Sequence, residues 1–168
     1  MPNVYLLVVG GETCLAAYRS AWRHNPYVIF AGPKPNVEDY YAAADVLALP
    51  SIQEAFGNAV LEGLAAGLPV ITVAGVGAFD RIEGDLRRGI LENPDDLLEL
   101  KDKLLYFLQP VCWAFLSRAA HKMAEQYSWT TYLDQLEETL LSLYEQSAKA
   151  RIVPEVAIPT LSRTPPAH

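Results

Sequence analysis

The chain has 168 residues, enough for one domain with a hydrophobic core, and 51% hydrophobic with 20% charged residues is the composition of a globular protein. A net charge of −7 argues against nucleic acid or an anionic membrane surface as the main partner. It leaves open a small anion held by backbone N–H groups at a helix start.

No apolar run approaches the ~20 residues of a membrane helix. Cys14 and Cys112 are far apart and lack metal-ligand spacing, and His24, His121 and His168 are scattered. The simplest reading is a reduced, cytoplasmic protein with no metal site. Val4–Val9 is too short and lacks the basic flank of a signal peptide, so it reads as a buried strand.

In chain order, that strand ends at Gly10-Gly11, and a helix over about Thr13 to His24 follows. Tyr27–Phe30 is a second strand, closed by Gly32-Pro33. Asn36 or Val37 opens a helix through Ala44. Val46–Leu49 is a third strand, stopped by Pro50. A helix from about Gly57 to Ala66 ends at Gly67. Pro69–Val73 is a fourth strand and Gly89–Leu91 a short fifth. Pro94–Leu108 is a helix with Asp95 and Asp96 in its first turn, and Val111–Gln126 and Thr130–Gln146 are two more. Leu133, Leu136, Leu140, Leu143 and Tyr144 give the last helix an apolar stripe. The stretch 151–168, with four prolines, reads as a tail.

Strands apolar at every residue are buried on both faces, and their alternation with helices predicts an α/β fold with a parallel sheet flanked by helices. Ligands of such sheets bind beyond the carboxyl ends of the strands. Gly10-Gly11, Gly32-Pro33, Pro50-Ser51 and Ala74–Gly77 all fall at such ends.

The run from Pro50 to Val70 carries the chemistry. Glu54 follows the third strand. Gly57-Asn58-Ala59 starts a helix whose free N–H groups and positive dipole end suit a diphosphate. Asn58 could instead cap that helix. Glu62 lies one turn later on the same face, where a carboxylate can accept two hydrogen bonds from adjacent hydroxyls, as a ribose offers. The alternative for both acids is a solvated or dipole-supporting carboxylate. For Gly10-Gly11 it is a plain turn, and for Lys34 a solvated loop lysine. A dinucleotide-binding reading is disfavoured, because Gly10-Gly11 is not followed by the spaced glycines and ribose acid of that motif.

The wording Pro50-Ser-x-x-Glu54-x-Phe56-Gly57-x-x-x-x-Glu62-x-x-Ala65-x-Gly67-x-Pro69-Val70 resembles the donor-site signature of retaining glycosyltransferases of family 4, the group 1 glycosyltransferases. Val28–Gly32, Tyr41–Val46, Gly75–Gly77 and Trp129 are similar to the same family. The resemblance implies the Rossmann-like C-terminal half of a GT-B glycosyltransferase, with extra C-terminal helices. A nucleotide-sugar (donor) binding domain would occupy residues 1–150 and the proline-rich tail 151–168. Glu54, the first of the family's two acidic positions and the catalytic one, would contact the donor sugar. Ala55, Phe56, Gly57 and Asn58 would face the sugar and diphosphate, and Glu62 would bind the ribose. Pro33, Lys34 and Pro35 would cup the base. The donor would be a nucleotide-diphospho-sugar, a UDP-sugar before a GDP-sugar, with no other cofactor and no metal. The acceptor would be a glycan, lipid or other molecule in polysaccharide biosynthesis, and peripheral membrane association of the full enzyme is compatible with that.

The sequence departs from the family pattern in several respects. An acceptor domain and the first strand and helix of the donor domain are expected before Val4, and that strand and helix would carry the Arg and Lys that neutralise the diphosphate. At Ala78-Phe79-Asp80 the equivalent acid is not matched. Gly63 replaces a more usual Ala at a helical cost of up to ~1 kcal/mol. The fragment is therefore expected to be inactive alone. The competing function is a non-catalytic nucleotide-sugar binding or docking module that pairs with a separate acceptor-domain chain.

Overall fold

A computed structural model describes residues 4–11, 15–52, 54–77 and 82–149. Thr13, Cys14, Ala78-Phe79-Asp80 and the stretch 151–168 lie outside the described residues. The elements in chain order are β1 (Leu6–Val9), α1 (Ala16–Trp22), β2 (Val28–Gly32), α2 (Val37–Ala42), β3 (Leu47–Leu49), α3 (Asn58–Ala65), β4 (Val70–Val73), β5 (Ile90–Leu91), α4 (Leu97–Phe107), α5 (Pro110–Ala124) and α6 (Trp129–Lys149). Every strand pair is parallel, as the alternation of strand and helix predicts. The chain divides into two compact units, Met1–Gln126 and Tyr127–His168.

In the first unit the strands form two sheets, β1–β2 and β3–β4–β5, where the sequence suggests one. Burial differs between them. β4 and β5 are buried at every residue, because α3 and α4 cover β4. Leu6 in β1, Ile29 in β2 and Ala48 in β3 are exposed, so the expectation of burial on both faces fails there. The cause is missing cover: α1, the helix between β1 and β2, has no buried residue.

The core lies between α3, α5 and β4–β5. Val60, Leu64, Ile71, Leu91, Phe107, Leu116 and Ala120 are all buried there, and α3 packs on α5. Gly67 ends α3 in the left-handed region, with φ 80°. Its N–H donates to Leu64 O at 2.9 Å and the Leu68 N–H to Gly63 O at 2.8 Å, a Schellman closure in which Leu68 is buried. Pro69 then prevents the helix from continuing and β4 begins.

Asp95 and Asp96 stand before α4 rather than in its first turn. The Asn93 side chain accepts the Asp95 N–H, and the Asp96 carboxylate caps the helix by accepting from Leu98 and Glu99 N–H, both at 2.9 Å. Pro110 occupies the first turn of α5, where its missing N–H costs nothing. Among the described residues, Cys112 on α5 is a free thiol.

The second unit is α6 with its approach. Ser128 Oγ accepts the Thr131 N–H at 3.1 Å, and the Trp129 ring meets Tyr132 edge-on at 5.8 Å. Leu133, Leu136, Leu140, Leu143 and Tyr144 all fall within this helix, at the helical spacing the sequence shows.

Two substitutions and one control test the packing. A Cβ at Gly89 would collide with the Val70 carbonyl and lie 2.9 Å from Phe107 Cε2. Gly89→Ala is expected to lose about 1–3 kcal/mol in urea unfolding. Gly11→Ala, where a Cβ meets nothing within 4 Å, is its near-neutral control. Thr72 in β4 is fully buried and its Oγ1 has no hydrogen-bond partner. Thr72→Val removes that orphaned hydroxyl at nearly constant shape and is expected to raise the urea midpoint, by up to about 1–3 kcal/mol of stability.

Candidate functional site

The carboxyl end of β3 leads through Pro50-Ser51 to Glu54 and then to α3. Gly57 is the N-cap residue of α3 and sits in the left-handed region at φ 81°, ψ 56°. A side chain there is excluded twice over. The conformation disfavours one, and a Cβ would lie 2.5 Å from Cγ1 of the buried Val76. The first helical N–H groups, those of Asn58 and Ala59, therefore follow an N-cap residue that carries no side chain. Asn58 is the first residue of the helix, and the N-cap position is held by Gly57. The alternative that Asn58 closes the helix start is thus removed.

Glu54 is half-buried, and its Cγ lies 3.4 Å from where a Gly57 Cβ would be, so its stem crosses the helix entrance. Ala55 and Phe56 are exposed beside it. The loop after β4 closes the other side: a Cβ at Gly77 would lie 2.7 Å from Ala55 O and 3.3 Å from Phe56 Cδ2. Two loops far apart in sequence therefore meet at the start of α3, as the positions of their strand ends predict.

Glu62 is exposed on α3, one turn after Asn58. Its Oε2 accepts a hydrogen bond from the Tyr41 hydroxyl of α2 at 2.9 Å. Tyr41 is half-buried, and its pKa is pushed up from 10.0 to about 12, first by burial and then by the Glu62 hydrogen bond and charge. The folded chain holds this proton more tightly than the unfolded chain. The contact's contribution to stability is therefore complete below about pH 10 and is lost as pH rises through about 12.

The sequence pattern assigns Tyr41 no role. Its one signal is a hydroxyl within the Tyr41–Val46 segment. Pro33, Lys34 and Pro35 lie exposed in the loop after β2. They precede α2, and no hydrogen bond or ion pair among the described residues joins them to Glu54 or Glu62. Gly10 ends β1 with its N–H donated to Gly32 O at 3.0 Å, which ties those two strand ends together. A further support invisible in the sequence is the Trp113 indole of α5, which donates to Asp45 O at 2.8 Å and anchors the entry to β3. Among the described residues no cluster of His, Cys, Asp and Glu could hold a metal ion, and no helix is long and apolar enough to cross a membrane.

The Tyr41–Glu62 contact is testable by ultraviolet titration, with Tyr41→Phe used to isolate the Tyr41 signal. Tyr41 should deprotonate near pH 12 in the unaltered chain. In Glu62→Gln it should move back toward 10 without reaching it, because burial remains the larger cause. An unmoved titration would mean that the two side chains do not meet in solution.

The family model described as "Glycosyl transferases group 1" matches residues 1–110. The D-inositol 3-phosphate glycosyltransferase of Saccharomonospora viridis is 37% identical over 111 residues, which are 66% of this chain and 25% of that protein. Among solved structures, Alr3699/HepE of Anabaena in complex with UDP-glucose superimposes with a TM-score of 0.70 at 25% identity, covering 84% of this chain and 42% of that one. The sucrose-phosphate synthase of Thermosynechococcus elongatus gives a TM-score of 0.73 at 25% identity, covering 88% and 40%. The chain thus spans 25% of the length of that relative and 40–42% of these solved proteins. Its fold is the Rossmann-like half of the GT-B architecture, and by the match over residues 1–110 the chain belongs to the group 1 glycosyltransferases.

Proposed function

We propose that this chain carries the donor side of a retaining glycosyltransferase and binds a nucleotide-diphospho-sugar at the start of α3. The observation that carries the reading is Gly57. Its left-handed backbone starts α3 with no side chain at the N-cap, with Glu54 before the helix and Glu62 one turn into it. A diphosphate fits the N–H groups and the dipole. Vicinal ribose hydroxyls fit Glu62, whose orientation Tyr41 sets through one oxygen while the other stays available. Glu54 is placed to accept from a hydroxyl of the donor sugar, with Ala55, Phe56, Gly57 and Asn58 facing sugar and phosphates. Pro33, Lys34 and Pro35 would border the base.

The similarity to a protein solved with UDP-glucose favours a uridine donor over a guanosine one. In transfer with retention, no side chain here acts as a nucleophile. The chain positions the donor, and the N–H groups of α3 stabilise the diphosphate as it leaves. The acceptor, a glycan or lipid in a cytoplasmic biosynthetic reaction, would be bound by a separate acceptor domain, so the chain alone binds donor weakly and does not turn it over.

Calorimetric titration with UDP, UDP-glucose and GDP tests this, with chemical-shift changes as a second readout. Weak binding with uridine ligands ahead of GDP is expected. Glu62→Ala should weaken it by ~1–3 kcal/mol, the cost of removing a hydrogen-bonding carboxylate. Absence of heat and of shift changes with every nucleotide, or equal affinity in Glu62→Ala, would remove the site.

A further inference from the structure

The surroundings of Glu62 on α3 hold no charge. Asn58, Ala59, Ala65 and Ala66 stand one turn away from it, on either side, and three of these are alanine. No cation on that helix is therefore in place to pair with it, and the small side chains leave its approach open. Among the described residues the recorded partner of its carboxylate is the Tyr41 hydroxyl, on another helix and 21 residues away. A lysine or arginine in that place would engage the charge of Glu62 in an ion pair. A tyrosine sets the geometry and leaves the charge as it is, and with a pKa pushed up to about 12 it remains a donor.

A glutamate free on a helix surface has several rotatable bonds to order when a ligand arrives, and that ordering weakens binding. Tyr41 orders them beforehand, because its ring is half-buried and α2 packs on α3. With Oε2 holding one hydrogen bond, Oε1 and the second lone pair of Oε2 remain as acceptors at set positions. Two adjacent hydroxyls fill them. A ligand that covers the carboxylate also strips its water, so a sugar with one hydroxyl too few leaves part of a charged group without a partner. A site built to receive a hydroxyl discriminates against the analogue that lacks it.

We propose, resting on the donor-site reading, that Tyr41 is a positioning residue that determines specificity: by holding Glu62 through Oε2 it makes the site select ribonucleoside diphosphates over 2′-deoxyribonucleoside diphosphates. The donor class is then a ribonucleotide sugar, chosen at the pentose by α2 and α3 together. Tyr41 acts through Glu62 and touches no reacting atom.

Chemical-shift titration of the chain with UDP and with 2′-deoxy-UDP measures the selection as a ratio of two affinities. UDP should bind at least about 10-fold more tightly, the effect of one hydrogen bond to a charged group. In Tyr41→Phe, which keeps the ring, the ratio should fall toward unity, with the loss on UDP and little change for the deoxy ligand. Glu62→Gln should lower the ratio as well, and adding Tyr41→Phe to it should lower it no further, since both substitutions break one contact. A tyrosine that only packs α2 on α3 would weaken both ligands alike and would do so in either background. Should Tyr41→Phe lose the fold, seen in its urea midpoint, Glu62→Gln at an exposed position keeps the test. An unchanged ratio there overturns the proposal, because Tyr41 reaches the pentose only through that carboxylate.

The two possible failures are distinct. No shift with either ligand sinks the donor site and this selection with it. UDP binding with a ratio near unity, or with the same ratio in Tyr41→Phe, overturns the role of Tyr41 and leaves the donor site standing.

Discussion

Space at the sheet end of α3 is the constraint on which the rest of this structure depends. The helix enters where the loops after β3 and β4 touch, with no room for a Cβ at Gly57 or Gly77. Along the helix the approach stays close: a Cβ at Gly63 would meet Leu47 Cδ2 at 2.6 Å, and one at Gly67 would meet His121 at 2.9 Å. Glycine inside a helix costs about 0.5–1 kcal/mol relative to alanine. Burying Val60 and Leu64 on the same helix contributes about 1.5–3 kcal/mol each, which outweighs it. The helix therefore lies low on β3 and β4, and its start stays open to solvent while its inner face is sealed.

Much of this was legible in residue types. The β-branched run of β4, Gly67 before Pro69 and the glycine–acid spacing around α3 each have a local cause that survives folding. What was not legible depended on residues distant in sequence or on competing local bonds. Asn58 has the side chain of a cap, yet Gly57 takes that position because only glycine tolerates both the left-handed backbone and the nearby Val76. Asp96 leaves the first turn of α4 because its carboxylate is worth more as a cap. Tyr41 and Glu62 are 21 residues apart, and only the packing of α2 on α3 brings them together.

That pairing shapes the electrostatics of the site. A tyrosine that keeps its proton to about pH 12 is a fixed donor at any physiological pH. It orients Glu62 without neutralising it, so the carboxylate keeps its capacity to accept from hydroxyls. A diphosphate brought to this surface meets Glu54 and Glu62 as well as the helix dipole. Partial charges of about half a unit at a helix start do not by themselves offset two carboxylates and a diphosphate. Cationic groups from beyond these elements are needed for tight binding, which is the physical reason to expect weak donor affinity from the chain alone.

The uneven burial of the strands follows the same division. Parallel strands are stable when both faces are covered, and two strands by themselves are marginal. β4 and β5 meet that condition; β1 and β2 do not. The half of the site built on β3, α3 and the loop after β4 therefore rests on a finished core. The loop with Pro33, Lys34 and Pro35 rests on the unfinished β1–β2 pair. Tyr41 follows that loop on α2 and bonds to α3, so its hydrogen bond to Glu62 links the less supported half to the sealed one.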